Sequence, residues 1–356
     1  MRSVNGRPWR LLLLALVFAL VAAACGVDDE EIGATSSGGS ENGAAVAGEV
    51  VVSGSSTVEP ISALNAEKFQ GANPEVSISV DGPGTGDGFE LFCAGETDIS
   101  DASRPIEEEE IAACEDAGIE FVEIKVAYDG MAVMSNPAND AVTCLDFLDL
   151  YALIGPESEG FENWSDANDL AAEIKAPNAP YPDAPLDLVG PGQESGTYDS
   201  FAEIALEGFA VDERGQNEDG PFTRQDYQSS PNDNVIIQGI EGSNSSLGWV
   251  GYAFAVEAGD GVKVLEVSND AEGAGCTAPS DEAIADGSYP LSRSLYIYVN
   301  SAKAQENEAV SAYVDYYLSA DGLASVAEVG YVDLPEDQLA GSQSAWEAME
   351  TGTREG

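Results

Sequence analysis

Histidine is absent from this chain, and lysine plus arginine number only 13 against 65 aspartates and glutamates. Without histidine, the usual proton acceptor for a serine or cysteine nucleophile is missing, and zinc loses its commonest neutral ligand. A net charge of −52 repels phosphodiester backbones and anionic headgroups, so nucleic acid and an acidic lipid surface are poor partners. Cysteine is scarce, five in 356 residues, and no Cys-x-x-Cys spacing occurs. Long apolar runs are confined to residues 11–21, too few to span a bilayer. Lys68 and Lys175 are the nearest lysines for a serine–lysine pair, and the acids are spread along the chain rather than clustered as metal ligands. Enzymatic readings and a metal or cofactor therefore have little to stand on.

What is present begins with an export signal. Arg2, Arg7 and Arg10 precede the apolar run, which ends in Ala22-Ala23-Ala24-Cys25. That pattern reads as a lipoprotein signal peptide over residues 1–24 with lipidation at Cys25; the plainer alternative is a secretory signal cleaved after Ala24. Residues 25–48 are rich in Gly, Ser, Ala and acid and read as a flexible tether. The remainder is long enough for two domains. Setting Cys25 aside leaves Cys93, Cys114, Cys144 and Cys276. An even number in an exported chain predicts two disulfides, with three pairings open.

Strand and helix patterns alternate. Strands are expected at 50–52, 76–80, 119–126, 131–134, 186–189 and 295–299, with Tyr128-Asp129-Gly130 as the break between the third and fourth. Helical spacing places Ile61, Leu64 and Phe69 on one face, begins another helix at Phe89, and predicts an acidic helix stopping at Gly118. Val310, Tyr313, Val314 and Tyr317 mark a late helix, and an acidic one surrounds Trp346. Such alternation predicts a parallel α/β architecture.

Four strand-to-helix loops are alike in make-up. Residues 54–60, 82–88, 100–105 and 195–199 are small, hydroxylated and glycine-containing, apart from the glycine-free third. In an open α/β sheet such loops gather at the carboxyl ends of the strands, where ligands bind. A serine or threonine before a helix is most often a cap. Together the loops offer many neutral donors and one strong cation, Arg104, whose fork suits a tetrahedral oxyanion. Ser195-Gly196-Thr197 stands out, with glycine admitting close approach between two hydroxyls.

The set Gly54-Ser55-Ser56-Thr57-Val58-Glu59-Pro60, Gly84-Thr85-Gly86, Asp98-Ile99-Ser100-Asp101-Ala102-Ser103-Arg104-Pro105, Ser195-Gly196-Thr197 and Pro290-Leu291-Ser292-Arg293 resembles the substrate-binding lipoproteins of the phosphate-specific ABC transporter. The resemblance implies a two-lobed α/β periplasmic-binding-protein fold (type II), with two crossover strands and a ligand cleft between lobes. Residues 49–127 and 291–356 would form one lobe and 128–290 the other. Pairing Cys93 with Cys114 and Cys144 with Cys276 then keeps each bridge inside one lobe. Inorganic phosphate would be held by Ser56, Thr57, the Val58 amide, Thr85, Ser103 and Arg104, and by Ser195, Gly196 and Thr197 from the opposite lobe.

Two positions depart from the family pattern. Ser103 stands where an aspartate accepts the phosphate proton, and Pro191 where an arginine precedes the Ser-Gly-Thr serine. Asp101 is the first candidate for the proton acceptor and Asp129 the second. The expected function is capture of phosphate outside the cytoplasm by a monomer anchored through Cys25, and its delivery to the membrane permease of an ABC importer. Competing readings are a receptor for sulfate, molybdate or tungstate, a surface lipoprotein that no longer transports, and a secreted phosphatase.

Overall fold

The computed structural model describes residues 46–193, 195–217, 220–269 and 275–354. The signal peptide, Cys25 and most of the tether lie outside them. β1 (Gly48–Gly54) buries Val50 and Val52 while Val51 faces out, the period of a strand covered on one side. It pairs in parallel with β2 (Val76–Asp81) and β3 (Ile99–Ala102). Between them lie α1 (Glu59–Ala72), with Pro60 in its first turn, and α2 (Thr85–Cys93). The buried stripe of α1 is Ile61, Asn65, Ala66 and Phe69; Leu64 is only half-buried. α3 (Glu108–Ala117) starts with a Glu107/Glu110 capping box and ends at Gly118 in the left-handed conformation, φ 73°.

β4 (Phe121–Ser135) is one strand of 15 residues, where the sequence pattern predicts two. Asp129-Gly130 reads locally as a turn. The ladder overrides it, because β11 (Ser292–Asn300) pairs with β4 as far as Gly130 and β8 (Ser246–Gly251) takes over from Met131. Both of these partners run antiparallel to β4, and β11 is antiparallel to β3 as well. The sheet is therefore mixed rather than parallel.

Between β4 and β11 come β5 (Cys144–Asp146), α4 (Phe147–Ile154), α5 (Asn168–Ile174), β6 (Asp187–Gly190), α6 (Gly196–Phe201), α7 (Gly208–Asp212), β7 (Gln228–Ser229), α8 (Asp233–Gly242), β8, α9 (Tyr252–Ala258), β9 (Lys263–Val264), β10 (Glu266–Ser268) and α10 (Asp281–Ala285). After β11 follow α11 (Ser301–Glu306), α12 (Glu308–Tyr317), α13 (Ala320–Glu328) and α14 (Glu336–Ala348). The nine-stranded sheet has the order β2-β1-β3-β11-β4-β8-β6-β7, with β9 also on β4; β5 and β10 pair separately.

One core gathers Val50, Ile61, Phe69, Ile297, Val310, Tyr313 and Trp346. Another gathers Leu150, Trp164, Phe201, Leu247, Trp249 and Leu291. Each buries several large side chains, at about 1.5–3 kcal/mol apiece. β4 runs from the first to the second, contributing Ile124 to one and Met131 to the other. Disulfides join Cys93 to Cys114, between α2 and α3, and Cys144 to Cys276. No helix among the described residues is long and apolar enough to cross a membrane.

Candidate functional site

The loop after β1 is shaped by Gly54. Its φ is 148°, and a Cβ there would lie 2.1 Å from the Asp101 carbonyl oxygen of β3, so only glycine fits. The Ser55 amide donates to that carbonyl, and the Ser55 carbonyl accepts from Val58 and Glu59. These bonds turn the chain into α1 and leave the Ser56 and Thr57 side chains facing α6. The Val58 amide is thus committed to the turn, at 3.1 Å.

Ser195 caps α6, its Oγ accepting from the Thr197 amide at 3.2 Å. Gly196 lies against the Ser56–Thr57 backbone, a Cβ there reaching 3.0 Å from the Ser56 carbonyl oxygen. Hydroxyls and carboxylates link the two loops. Ser56 Oγ donates to Asp199 Oδ2 at 2.8 Å, and Thr57 Oγ1 lies 3.0 Å from Ser200 Oγ. α6 continues into a π-helical turn, Ala202–Glu207, which brings Glu203 toward the same place.

Arg293 joins these groups. Its Nη2 donates to Thr57 Oγ1 at 2.9 Å and Ser200 Oγ at 2.8 Å, and its Nη1 donates to Glu203 Oε2 at 2.6 Å. Its Nε lies 3.6 Å from Asp129 Oδ2. Burial raises the Asp129 carboxyl above the usual range, opposed by the Arg293 charge and by Ser200. Asp199 is raised for the same first reason, with Ser56 and Arg293 opposing.

Arg104 goes elsewhere. Its two Nη atoms donate to the two Glu110 oxygens at 2.8 Å each, Glu107 is 3.3 Å from Nε, and the guanidinium lies over the Phe89 ring. The acidic first turn of α3 thus captures the cation that the sequence pattern assigns to the ligand. Asp101 also turns away. Its side chain accepts from Ser62 Oγ at 2.9 Å, beside Tyr317, and burial pushes its carboxyl up to about 8. Thr85 and Ser103 pair with each other, Oγ1 to Oγ at 3.0 Å.

Of the residues expected at the site, Ser56, Thr57, Ser195, Gly196 and Thr197 come together, and Asp129 joins them instead of Asp101. Arg293, Asp199, Ser200 and Glu203 carry no expectation from the sequence as ligands. Arg293 ends the Pro290–Arg293 motif of a cation-poor chain, and Asp199 and Ser200 follow Ser195 by about one helical turn, which are the signals available. No cluster of three or more metal-ligating side chains occurs among the described residues.

The profile of the PBP superfamily domain matches residues 39–321. The chain belongs to the PBP superfamily. Within that superfamily it is 37% identical over 306 residues to Protein SphX of Synechocystis sp., covering 85% of this chain and 84% of that protein. It is 33% identical over 315 residues to Phosphate-binding protein PstS of Staphylococcus saprophyticus, covering 88% and 89%. A crystal structure of a possible phosphate binding protein from Planctomyces limnophilus superposes with TM-score 0.76 at 35% identity, covering 86% of this chain and 99% of that one. An ABC-type phosphate transport receptor from Vibrio cholerae shares the fold, with TM-score 0.56 at 23% identity. The architecture is thus the mixed α/β periplasmic-binding-protein fold that the sequence resemblance implies.

Proposed function

We propose that this PBP-superfamily chain captures inorganic phosphate between the Ser56–Thr57 loop and the Ser195–Thr197 loop, and hands it to the permease of an ABC importer. The observation that carries the reading is the Arg293–Asp129 pair set against Thr57 and Ser200. A cation and a carboxylate side by side, among hydroxyls from two loops, suit an anion that still carries a proton. Arg293 takes the charge in a forked hydrogen bond. Ser56, Thr57, Ser195, Thr197 and the Gly196 amide supply neutral donors, with Thr85 and Ser103 at the margin. Asp129 accepts the proton. Sulfate has none near neutral pH, so it would meet an unpaired carboxylate and lose hydrogen bonding.

The PstS relative is named a phosphate-binding protein and the structure from Planctomyces limnophilus a possible phosphate binding protein, which favours binding and transport over hydrolysis. Residues 49–127 with 291–356 make one lobe and 128–290 the other in this reading, each holding one disulfide. Cys25 would carry the lipid that keeps the monomer outside the cytoplasm at the membrane. Calorimetric titration with phosphate and with sulfate tests the function: one phosphate per chain and far weaker sulfate are expected. Equal affinities would remove Asp129 from its role, and no phosphate binding would end the reading.

A further inference from the structure

Tyr331 lies between α13 and α14, outside all four hydroxylated loops. Tyr128 and Val332 form an antiparallel bridge, each amide donating to the other's carbonyl at 2.9 Å. The next residues along that pair, Asp129 and Tyr331, therefore face one another. On the other side of β4, Asp129 pairs with Arg293. Directly opposed residues point to the same face of a ladder, so Tyr331, Asp129 and Arg293 form one row across three chain segments.

The approach to Tyr331 is fixed. Gly330 adopts φ +88°, and a Cβ there would lie 2.4 Å from the Phe254 ring of α9. Only glycine makes that turn, and the Tyr331 amide then donates to the Val326 carbonyl at 3.1 Å. Tyr331 is buried with 7% of its surface left accessible. Its hydroxyl makes no hydrogen bond among the described residues. The charged groups facing it are Asp129 and Arg293 from the row, Asp233 of α8 and Asp199 of α6; burial holds the phenol well above its ordinary value, so it stays a donor.

We infer that the Tyr331 hydroxyl is a direct hydrogen-bond donor to the bound oxyanion, the neutral end of a Tyr331–Asp129–Arg293 row. The inference rests on the phosphate reading above and adds a binding residue to that site. Unlike Asp129 Oδ2 and Arg293 Nε, the Tyr331 hydroxyl is not fully buried; it keeps access to the space beside those two groups, where a tetrahedral anion supplies it an acceptor.

Tyr331→Phe keeps the ring and removes the donor. Phosphate Kd is expected to rise about 10- to 100-fold, the span of one hydrogen bond to a charged group, while the ligand-free melting temperature holds. Replacing Tyr331 by 3-fluorotyrosine strengthens the donor at nearly constant shape and is expected to tighten binding. A Tyr331→Phe Kd within about twofold of wild type would overturn this inference and leave the phosphate reading standing. Failure of the wild-type protein to bind phosphate would overturn both.

Discussion

Arg293 faces Asp129 across the β11–β4 ladder, with Nε 3.6 Å from Oδ2. The pair is set by register rather than by a loop. Asp129 is 1% exposed, so its charge depends on Arg293, and leaving either one alone in that place is costly.

Replacing Arg293 by alanine is expected to weaken phosphate binding by at least about 2 kcal/mol, because a charge-assisted fork is lost. Arg293→Lys should recover only part, since a point charge cannot reproduce the fork. Arg104→Ala should change affinity little, because that guanidinium serves Glu110 and Glu107. Titration calorimetry on the three variants checks this. A larger loss at Arg104 than at Arg293 would return the site's charge to Arg104.

Asp129→Asn should narrow the preference for phosphate over sulfate. The amide keeps size and polarity, but presents donors where the proton of phosphate needs an acceptor. Competition of each anion against labelled phosphate gives the ratio. An unchanged ratio would place the discriminating acceptor elsewhere.

Asp101 offers a test through pH. Its carboxyl is raised from 3.8 to about 8 by burial, so between those values the folded chain binds a proton that the unfolded chain has released. Stability from this group therefore falls as pH rises through that window. Asp101→Asn mimics the protonated acid toward Ser62 and removes the titration. Urea denaturation from pH 5 to 8 should show a flatter decline in the variant. An unchanged decline would mean that Asp101 is ionised in the folded protein.

Salt should speed phosphate association. The −52 charge repels an incoming dianion at long range, and at about 0.1 M ionic strength the screening length is already near 10 Å. Donors in direct contact with the ligand are screened much less, so the off-rate should change little. Trp249 stacks on Phe201 at 4.6 Å between ring centroids, at the end of α6, and provides the stopped-flow signal. An on-rate that drops steeply with added chloride would reveal a local basic funnel.

Much of the fold is legible in the sequence because it rests on short-range patterns. The valine run of β1, the alternation in β2, the loop glycines, the stop at Gly118 and the Val310–Tyr313–Tyr317 stripe each follow from a few neighbouring residues. Asp129-Gly130 misleads as a break in β4 because the ladders holding the strand straight come from β8 and β11, more than 100 residues away. Arg104 is ambiguous in the sequence for a related reason. The sequence shows an arginine in a loop, but not which of two acceptors reaches it, a ligand or the Glu110 carboxylate one turn inside α3. Arg293 and Tyr331 gain their meaning only from register with Asp129, and register is invisible until strands pair.

The passage of β4 from one core to the other has a mechanical consequence. β11, with the Leu291 that leads into it, makes the same passage beside β4: Leu291 lies in the second core and Leu295 in the first. Asp129 and Arg293 therefore pair where two neighbouring strands cross between the cores together, and strain applied to either core is felt by both members of that pair.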